Sequence, residues 1–182
     1  MPTEIFHDWE FLEDGKTIAP ISVGITTSDG RDYYAVNRDL PEAAVYDHPW
    51  LRENVMPYLP HTPGPRLRHG WLDVTRPDVK PPAQIAAEVR DLITATADVE
   101  LWGYYSAFDH VCLAWLYGPM MRLPAGIPMW TNDIRQETAR LGLTPEDLPR
   151  QDGQEHHALA DARHDKTMLA FLRRVAADQG RD

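Results

Sequence analysis

The sequence of 182 residues has one cysteine, few basic residues and no long apolar run. The lone Cys112 excludes an intramolecular disulfide framework and a zinc site built from several cysteines, and it indicates a reducing compartment. No segment approaches the ~18–20 apolar residues that span a bilayer. The N-terminus also lacks the basic and apolar regions of a signal peptide. We therefore expect a cytoplasmic protein with no membrane partner.

Positive charge is also scarce. Only 18 Lys and Arg face 28 Asp and Glu, so the formal net charge is −10. This balance argues against a protein that coats nucleic acid, because such binding depends on dense Lys and Arg. It does not exclude a nucleic-acid enzyme whose positive charge arrives as bound metal ions.

The length predicts one domain over residues 1–182, since domains usually contain roughly 100–200 residues. Asp-Gly turns join three β-rich runs at 4–11, 18–27 and 32–37, which predicts an antiparallel meander. Seven of the 16 prolines fall between Pro57 and Pro82, so the segment 57–82 is predicted to be a loop. The expected class is α/β, with a mixed sheet of an antiparallel meander plus parallel strands, flanked by helices.

Apolar residues at helical spacing predict helices in the rest of the chain, alternating with a short strand at 99–104. A helix over 41–57 would be broken by the interior Pro49, and Asn132 is expected to cap a later helix that Gly142 closes. The other predicted helices cover 82–95, 108–116, 132–141 and 157–177.

Two acidic residues lie in the first predicted strand. Asp8 and Glu10 are two positions apart, so their side chains point to the same face. On this tripeptide alone, an exposed polar strand edge is the simpler interpretation. An inward-facing pair needs a positive group nearby, because like charges ~4 Å apart repel by about 4 kcal/mol at an effective dielectric of ~20.

A second acidic position follows the strand 99–104. Asp109 opens the next helix, and α/β sheets gather functional groups where strands end and helices begin. An Asp at that position also stabilises the helix dipole, so the residue has a purely structural interpretation as well.

A third group surrounds the start of the last helix. His156 lies at its entrance and Asp161 in its second turn, so the two would approach one site from different directions. Asp161 suits a metal ligand and His156 a proton acceptor. Asp165 is the alternative ligand, but we expect it to be a surface partner for Arg163 or Lys166.

Four carboxylates and one histidine thus come from three separate segments. Such hard oxygen ligands suit Mg²⁺ or Mn²⁺ and not zinc. Two divalent ions ~3.5–4 Å apart form the clamp used for in-line attack on phosphodiesters.

These motifs resemble the DEDDh branch of the DnaQ-like 3′-to-5′ exonucleases, which have the RNase H-like fold. The family pattern is matched in order and spacing by Asp8-Trp9-Glu10, Ala107-Phe108-Asp109 and the His-x-Ala-x-x-Asp motif of 156–161. Further segments at 11–15, 21–24, 33–36, 100–102 and 109–111 are similar to the small bacterial polyadenylate-specific 3′-exoribonucleases. The resemblance covers roughly residues 4–178.

The resemblance implies a site and a reaction. Asp8, Glu10, Asp109 and Asp161 would hold two Mg²⁺ ions, for which Mn²⁺ could substitute. His156 would deprotonate the water that attacks the 3′ end of RNA, and 5′-mononucleotides would be released. The resemblance also implies a homodimer. Two positions depart from the pattern: Trp9 stands where many relatives have a smaller residue, and Ser106 where several have Asn.

Further residues are candidates for contacts with the substrate. Phe11 could stack on the terminal base, a contact typically worth ~1–3 kcal/mol, and Trp9 could alter how that nucleotide packs. In the Pro-rich loop, Arg66 and Arg68, together with His69 and Arg76, could touch phosphates, although a charged loop is usually just solvated.

Three other functions compete with an exoribonuclease. A 3′-5′ DNA exonuclease of the proofreading or repair type would have the same motifs, because no feature of the sequence reads the 2′-hydroxyl. A catalytically silent nucleic-acid-binding module would keep the fold but has no need of the acidic set. A nucleotide phosphohydrolase would act only on short substrates.

Overall fold

The computed structural model describes residues 2–65 and 67–180. Its centre is a six-stranded mixed sheet with the strand order β4-β3-β2-β1-β5-β6, which places β1 in the interior of the sheet. The strands are β1 (Thr3–Glu13), β2 (Ile18–Thr27), β3 (Asp32–Asn37), β4 (Val79–Lys80), β5 (Val99–Gly103) and β6 (Asn132–Asp133).

The first three strands form the expected meander. β1 pairs antiparallel with β2, with Asp8 opposite Gly24, and β2 pairs antiparallel with β3. The pairs β1–β5, β3–β4 and β5–β6 are parallel. Together with the helices on its faces, this sheet confirms the predicted α/β, RNase H-like class.

Six α-helices flank the sheet in the described residues: α1 (Glu42–Asp47), α2 (Pro49–Asn54), α3 (Pro82–Ile93), α4 (Ala107–Trp115), α5 (Ile134–Arg140) and α6 (Ala158–Asp178). The break between α1 and α2 falls at Pro49, as predicted, because proline is accepted in the first turn of a helix and not in its interior. In its described residues, the Pro-rich segment contains only β4 and an isolated bridge between His61 and Leu72 as β structure.

The prediction that Asn132 caps a helix is wrong by one residue. Asn132 belongs to β6, and Asp133 is the cap, since its carboxylate accepts a hydrogen bond of 2.7 Å from the Arg135 backbone N–H. Both residue types favour this position, so the sequence alone did not distinguish them. Gly142 follows the end of α5 with a φ of 74°, the left-handed conformation that glycine adopts without strain.

The two faces of β1 have different partners. The odd-numbered Ile5 and Trp9 pack in a core cluster with residues of α3 and α4, such as Val89 and Leu113. The even-numbered side chains face α6, and Phe6 packs in a second cluster with α6 residues. Asp8 and Glu10 continue this even-numbered series, so they too point toward α6.

Gly24 allows the start of α6 to approach the sheet closely. A Cβ atom on this residue would lie 2.1 Å from the Leu159 backbone nitrogen and 2.2 Å from the Ala158 carbonyl carbon. Because Gly24 is paired with Asp8, its missing side chain brings the first turn of α6 over the acidic part of β1. Among the described residues, no helix has both the length and the apolar character needed to cross a membrane.

Candidate active site

One cavity collects all five residues that the sequence singled out. It has a volume of about 630 Å³, and its walls include Asp8, Glu10, Asp109, His156 and Asp161. β1 supplies the first two, the first turn of α4 supplies Asp109, and the loop before α6 and its first turn supply the others. The structure therefore brings together the three segments whose motifs are far apart in the chain.

The tightest group in the cavity consists of Glu10, His156 and Asp161. One potential ligand atom from each, a carboxylate oxygen or an imidazole nitrogen, lies within 4.8 Å of the others. Asp8 and Asp109 border the same cavity outside this group. Two carboxylates and an imidazole at this spacing can surround a divalent cation.

A hydrogen bond fixes Asp109 against the acidic strand. Its Oδ1 accepts a bond of 2.9 Å from the Trp9 backbone N–H, and the side chain is only 6% exposed. The bond spans 100 residues of sequence and connects the start of α4 to the residue between Asp8 and Glu10. It thereby holds the second acidic motif beside the first.

Asp161 organises the loop that carries His156. One carboxylate oxygen accepts a hydrogen bond of 2.8 Å from the His156 backbone N–H, and the other accepts 2.7 Å from Gln151 Nε2. His156 has a φ of 68° and Gln154 a φ of 57°, both in the left-handed region that is unusual for side chains with a Cβ. Strained backbone of this kind clusters at functional sites, and here it turns the imidazole toward the cavity.

His157 has a different role from His156. Its imidazole caps α6 by accepting a hydrogen bond from the Ala160 N–H, and its ring stacks on Tyr34 with a centroid distance of 4.5 Å. The first histidine of the pair faces the cavity, and the second fixes the start of the helix.

Burial and mutual repulsion raise the pKa values of the carboxyl groups in the cavity. For Glu10, burial and then the charges of Asp161 and Asp109 raise the pKa to about 8. Burial raises the pKa of Asp109 to about 7, although the Trp9 N–H opposes this shift. Burial, followed by the charge of Asp109, also holds the pKa of Asp8 well above its ordinary value.

The expectation for Asp165 was wrong. This residue is not a surface partner of Arg163 or Lys166 but lies in the wall of the cavity and is 3% exposed. Arg163 pairs with Asp32, and Lys166 Nζ donates to the Thr27 carbonyl. Asp165 lies one turn after Asp161 on the same side of α6, and that side faces the sheet and not solvent.

The two aromatic residues that were predicted to contact the substrate, Phe11 and Trp9, both border the cavity. Phe11 borders the cavity and stacks on Phe108 with a centroid distance of 5.7 Å. Trp9 also borders it but is 4% exposed and packs in the core, where its indole N–H donates to His7 Nδ1 at 3.2 Å. A nucleotide contact by either residue stays a prediction.

The described arginines of the Pro-rich loop, Arg68 and Arg76, are not part of the cavity wall. Arg68 forms an ion pair with Asp47, its Nε lying 2.8 Å from Oδ2, and is not among the residues of the cavity wall. Arg76 is paired with Asp78. Arg66 lies outside the described residues.

Several further residues line the cavity to which the sequence assigned no role in the site. Trp50, Tyr105 and Phe108 are 46%, 59% and 49% exposed, so each presents an aromatic surface at the cavity. The Trp50 ring meets the His156 imidazole edge-on, with a centroid distance of 4.7 Å. Arg150 is a basic residue in the wall. Of these, only Phe108 and Tyr105 could have been suspected, because they precede Asp109 so closely.

The composition of the cavity fits divalent cations. None of Asp8, Glu10, Asp109, Asp161 or Asp165 forms an ion pair with Lys or Arg among the residues that the structure describes. Buried carboxylates without a cationic partner are costly, and a bound metal ion is one of the few ways to offset them. A set of several carboxylates and one imidazole suits Mg²⁺ or Mn²⁺.

Comparison with known proteins gives a consistent result. Residues 69–172 match the model of the 3'-5' exoribonuclease Rv2179c-like domain. The chain is also similar to two curated proteins of Mycobacterium tuberculosis: 3'-5' exoribonuclease Rv2179c of strain H37Rv and 3'-5' exoribonuclease MT2234.1 of strain CDC 1551. Each is 38% identical over 161 residues, which is 87% of this chain and 86% of the relative. The chain belongs to the Rv2179c-like family of 3'-5' exoribonucleases, within the DnaQ-like group that its motifs predicted.

Proposed function

We propose that this chain, as a single domain over residues 1–182, is a metal-dependent exoribonuclease that removes 5′-mononucleotides one at a time from RNA 3′ ends. Its family makes it an exonuclease. The observation that carries the finer proposal is the convergence of Asp8, Glu10, Asp109, Asp161 and His156 on one cavity.

Asp8, Glu10, Asp109 and Asp161 would hold two Mg²⁺ ions, with Mn²⁺ as a substitute. Bound there, the ions would supply Lewis-acid chemistry and neutralise charge on the scissile phosphate and the leaving oxygen. Four carboxylates bring about −4 and two divalent ions +4, so the loaded site would accept a phosphate that the bare carboxylates repel.

His156 is the proposed general base. Its imidazole would accept the proton of the attacking water, a task that histidine performs more often than any other side chain in general acid–base catalysis. Asp161 would hold the loop in place through the His156 N–H, and Trp50 would restrict the rotation of the ring from its edge. Both contacts pre-orient the base before substrate arrives.

The aromatic wall supports the choice of a single-stranded nucleic acid as substrate. Phe11, Phe108, Tyr105 and Trp50 offer stacking surfaces beside the acidic residues. Base–aromatic stacking contributes roughly 1–3 kcal/mol for each base and does not require a particular sequence. Arg150, in the same wall, is suited to a backbone phosphate.

We propose RNA and not DNA as the substrate because the family and the relatives are named exoribonucleases. A homodimer is also part of the proposal. The segment after α4 exposes Met121 at 87% and Trp130 at 65%, and exposed apolar side chains of this size are common at subunit contacts. A cytoplasmic location rests on the single cysteine.

Three variants test the assignment. Asp8→Ala and Asp161→Ala should abolish turnover of a single-stranded RNA and weaken Mn²⁺ binding. His156→Ala should lower kcat by about 10²–10⁴-fold with Mn²⁺ affinity near that of the wild type. His69→Ala, at an exposed histidine that the structure does not place in the cavity wall, is the matched control and should behave as wild type.

Two results would change the assignment. If His156→Ala lost Mn²⁺ affinity as fully as Asp161→Ala, His156 would be a ligand, a role that its distance to Glu10 and Asp161 permits. If matched DNA were degraded as fast as RNA, or if neither were degraded, the DNA exonuclease or the silent binding module would replace the exoribonuclease.

A further inference from the structure

Asp165 is a buried carboxylate that neither the family motifs nor the reaction above uses. It is 3% exposed, and its Oδ2 has no hydrogen-bond partner among the described residues. A buried polar atom without a partner is rare in folded proteins and usually indicates a missing water, an ion or a functional role. The residue therefore needs an explanation in terms of a ligand.

The surroundings of Asp165 are acidic on the side of the cavity. Asp8, Asp109 and Asp161 all lie near enough to Asp165 for their charges to interact with its carboxylate. All four residues line the cavity. The backbone N–H of Tyr104, the residue that follows β5, also interacts with the Asp165 carboxylate. A polar backbone group thus orients one part of Asp165, while the unpartnered oxygen has only other carboxylates as charged neighbours in this cluster.

Nearby basic residues do not compensate this charge. Arg163 and Lys166, the closest basic residues in sequence, are engaged by Asp32 and by the Thr27 carbonyl. His164 also lines the cavity but forms no ion pair within the described part of the chain. A purely structural carboxylate would be expected to have such a partner, because an unpaired buried charge is strongly unfavourable.

We propose that Asp165 is a fifth carboxylate of the cation site, and that its free oxygen is satisfied when a divalent cation binds beside Asp8 and Asp109. This inference rests on the proposed metal-dependent function and extends its ligand set from four acidic residues to five. The i, i+4 spacing in α6 lets one helix present Asp161 near Glu10 and Asp165 deeper in the cavity.

The test is Mn²⁺ binding to the intact protein, measured by titration with detection of free Mn²⁺ by electron paramagnetic resonance. Asp165→Asn should weaken Mn²⁺ affinity by at least about 10–100-fold, since removing even an outer-shell partner of a metal site usually costs that much. Asp165→Ser is a second variant in case the amide still binds the ion through its oxygen. Asp178→Asn, exposed at the end of the same helix, is the matched control and should bind Mn²⁺ as wild type does.

A second readout separates this role from a structural one. In EDTA, Asp165→Asn should have a Tm equal to or above that of the wild type, because a neutral amide relieves repulsion among the carboxylates. A lower Tm in EDTA together with unchanged Mn²⁺ affinity would overturn the proposal and make Asp165 a structural residue.

Asp8→Asn distinguishes failure of this inference from failure of the proposed function. One outcome is that the wild type and both Asp165 variants bind Mn²⁺ while Asp8→Asn does not. This outcome refutes only the role of Asp165. If the wild type itself binds no Mn²⁺, the metal-dependent function fails and the fifth ligand fails with it.

Discussion

Without bound metal, Glu10→Gln should be more stable than the wild type. With metal bound, Glu10→Gln should be less stable than the wild type. The reason is that Glu10 is 7% exposed in the acidic cavity, where burial and the charges of Asp161 and Asp109 raise its pKa from 4.5 to about 8. Glutamine has nearly the same shape and carries no charge. The substitution therefore removes the electrostatic cost while leaving the packing intact.

The sign and size of the effect follow from proton linkage. Below about pH 4.5 the Glu10 carboxyl is protonated in both the folded and the unfolded chain, so it costs no stability. As pH rises toward about 8, the unfolded chain ionises first, and the free energy of unfolding falls by about 1.4 kcal/mol per pH unit. Between about pH 5 and pH 8 the wild type should lose about 4 kcal/mol through this one group.

The assay is thermal unfolding in EDTA at both pH values. For a chain of this length, 1 kcal/mol corresponds to roughly 2–4 °C in Tm, so the advantage of Glu10→Gln should grow by about 8–16 °C between pH 5 and pH 8. Glu53→Gln, on the exposed side of α2, is the matched control and should show no such growth. Saturating Mn²⁺ should reverse the order, because the wild type gains more binding free energy than the variant.

A pH-independent difference between Glu10→Gln and the wild type in EDTA would refute the reasoning. It would mean that Glu10 is ionised in the folded protein at neutral pH without cost, so that the cavity already offsets its charge. An equal Mn²⁺-induced rise in Tm for both proteins would show that Glu10 is not a ligand.

Three further predictions concern the packing around the site, the hydrogen bond to Asp161 and the oligomeric state. Gly24→Ala should lower stability by about 3 kcal/mol, because its Cβ would overlap the α6 backbone at 2.1 Å, and chemical denaturation with urea measures the loss. Gln151→Ala should reduce RNA turnover about tenfold, because Gln151 donates a hydrogen bond to Asp161. Gln179→Ala, at the end of α6, should leave turnover unchanged, and equal steady-state rates for the two variants would contradict this prediction. Light scattering should give a mass of about twice 20.8 kDa, and a monomer mass at micromolar concentration would exclude the homodimer.

The elements that the sequence predicted well are those with local signals. The meander was predictable because Asp-Gly turns separate its strands, and the break at Pro49 because proline removes a backbone donor. The segments β4 and β6 have two residues each and were not predicted, since they form only by pairing with β3 and β5. Such strands have no periodicity that a sequence can reveal.

The residues of the site also divide into those with a local signal in the sequence and those placed by tertiary packing. Asp8 and Glu10 were placed on one face by the two-residue repeat of a strand, and the other motif residues by their positions at helix starts. The burial of Asp165 was mispredicted because basic neighbours in sequence suggested a solvated face, while in the folded protein α6 packs on β1 and β2 and buries Asp165. Trp50 reaches His156 only through tertiary packing, so its role was invisible in the chain.

The most direct test of the central claim uses one single-stranded RNA labelled at either end and incubated with the purified protein and Mg²⁺. The account predicts that a 3′ label is released at once as a mononucleotide, that 5′-labelled chains shorten by one nucleotide at a time, and that EDTA stops both. Release of the 5′ label as a mononucleotide before the chain has shortened, the appearance of internal fragments or undiminished cleavage in EDTA would contradict it.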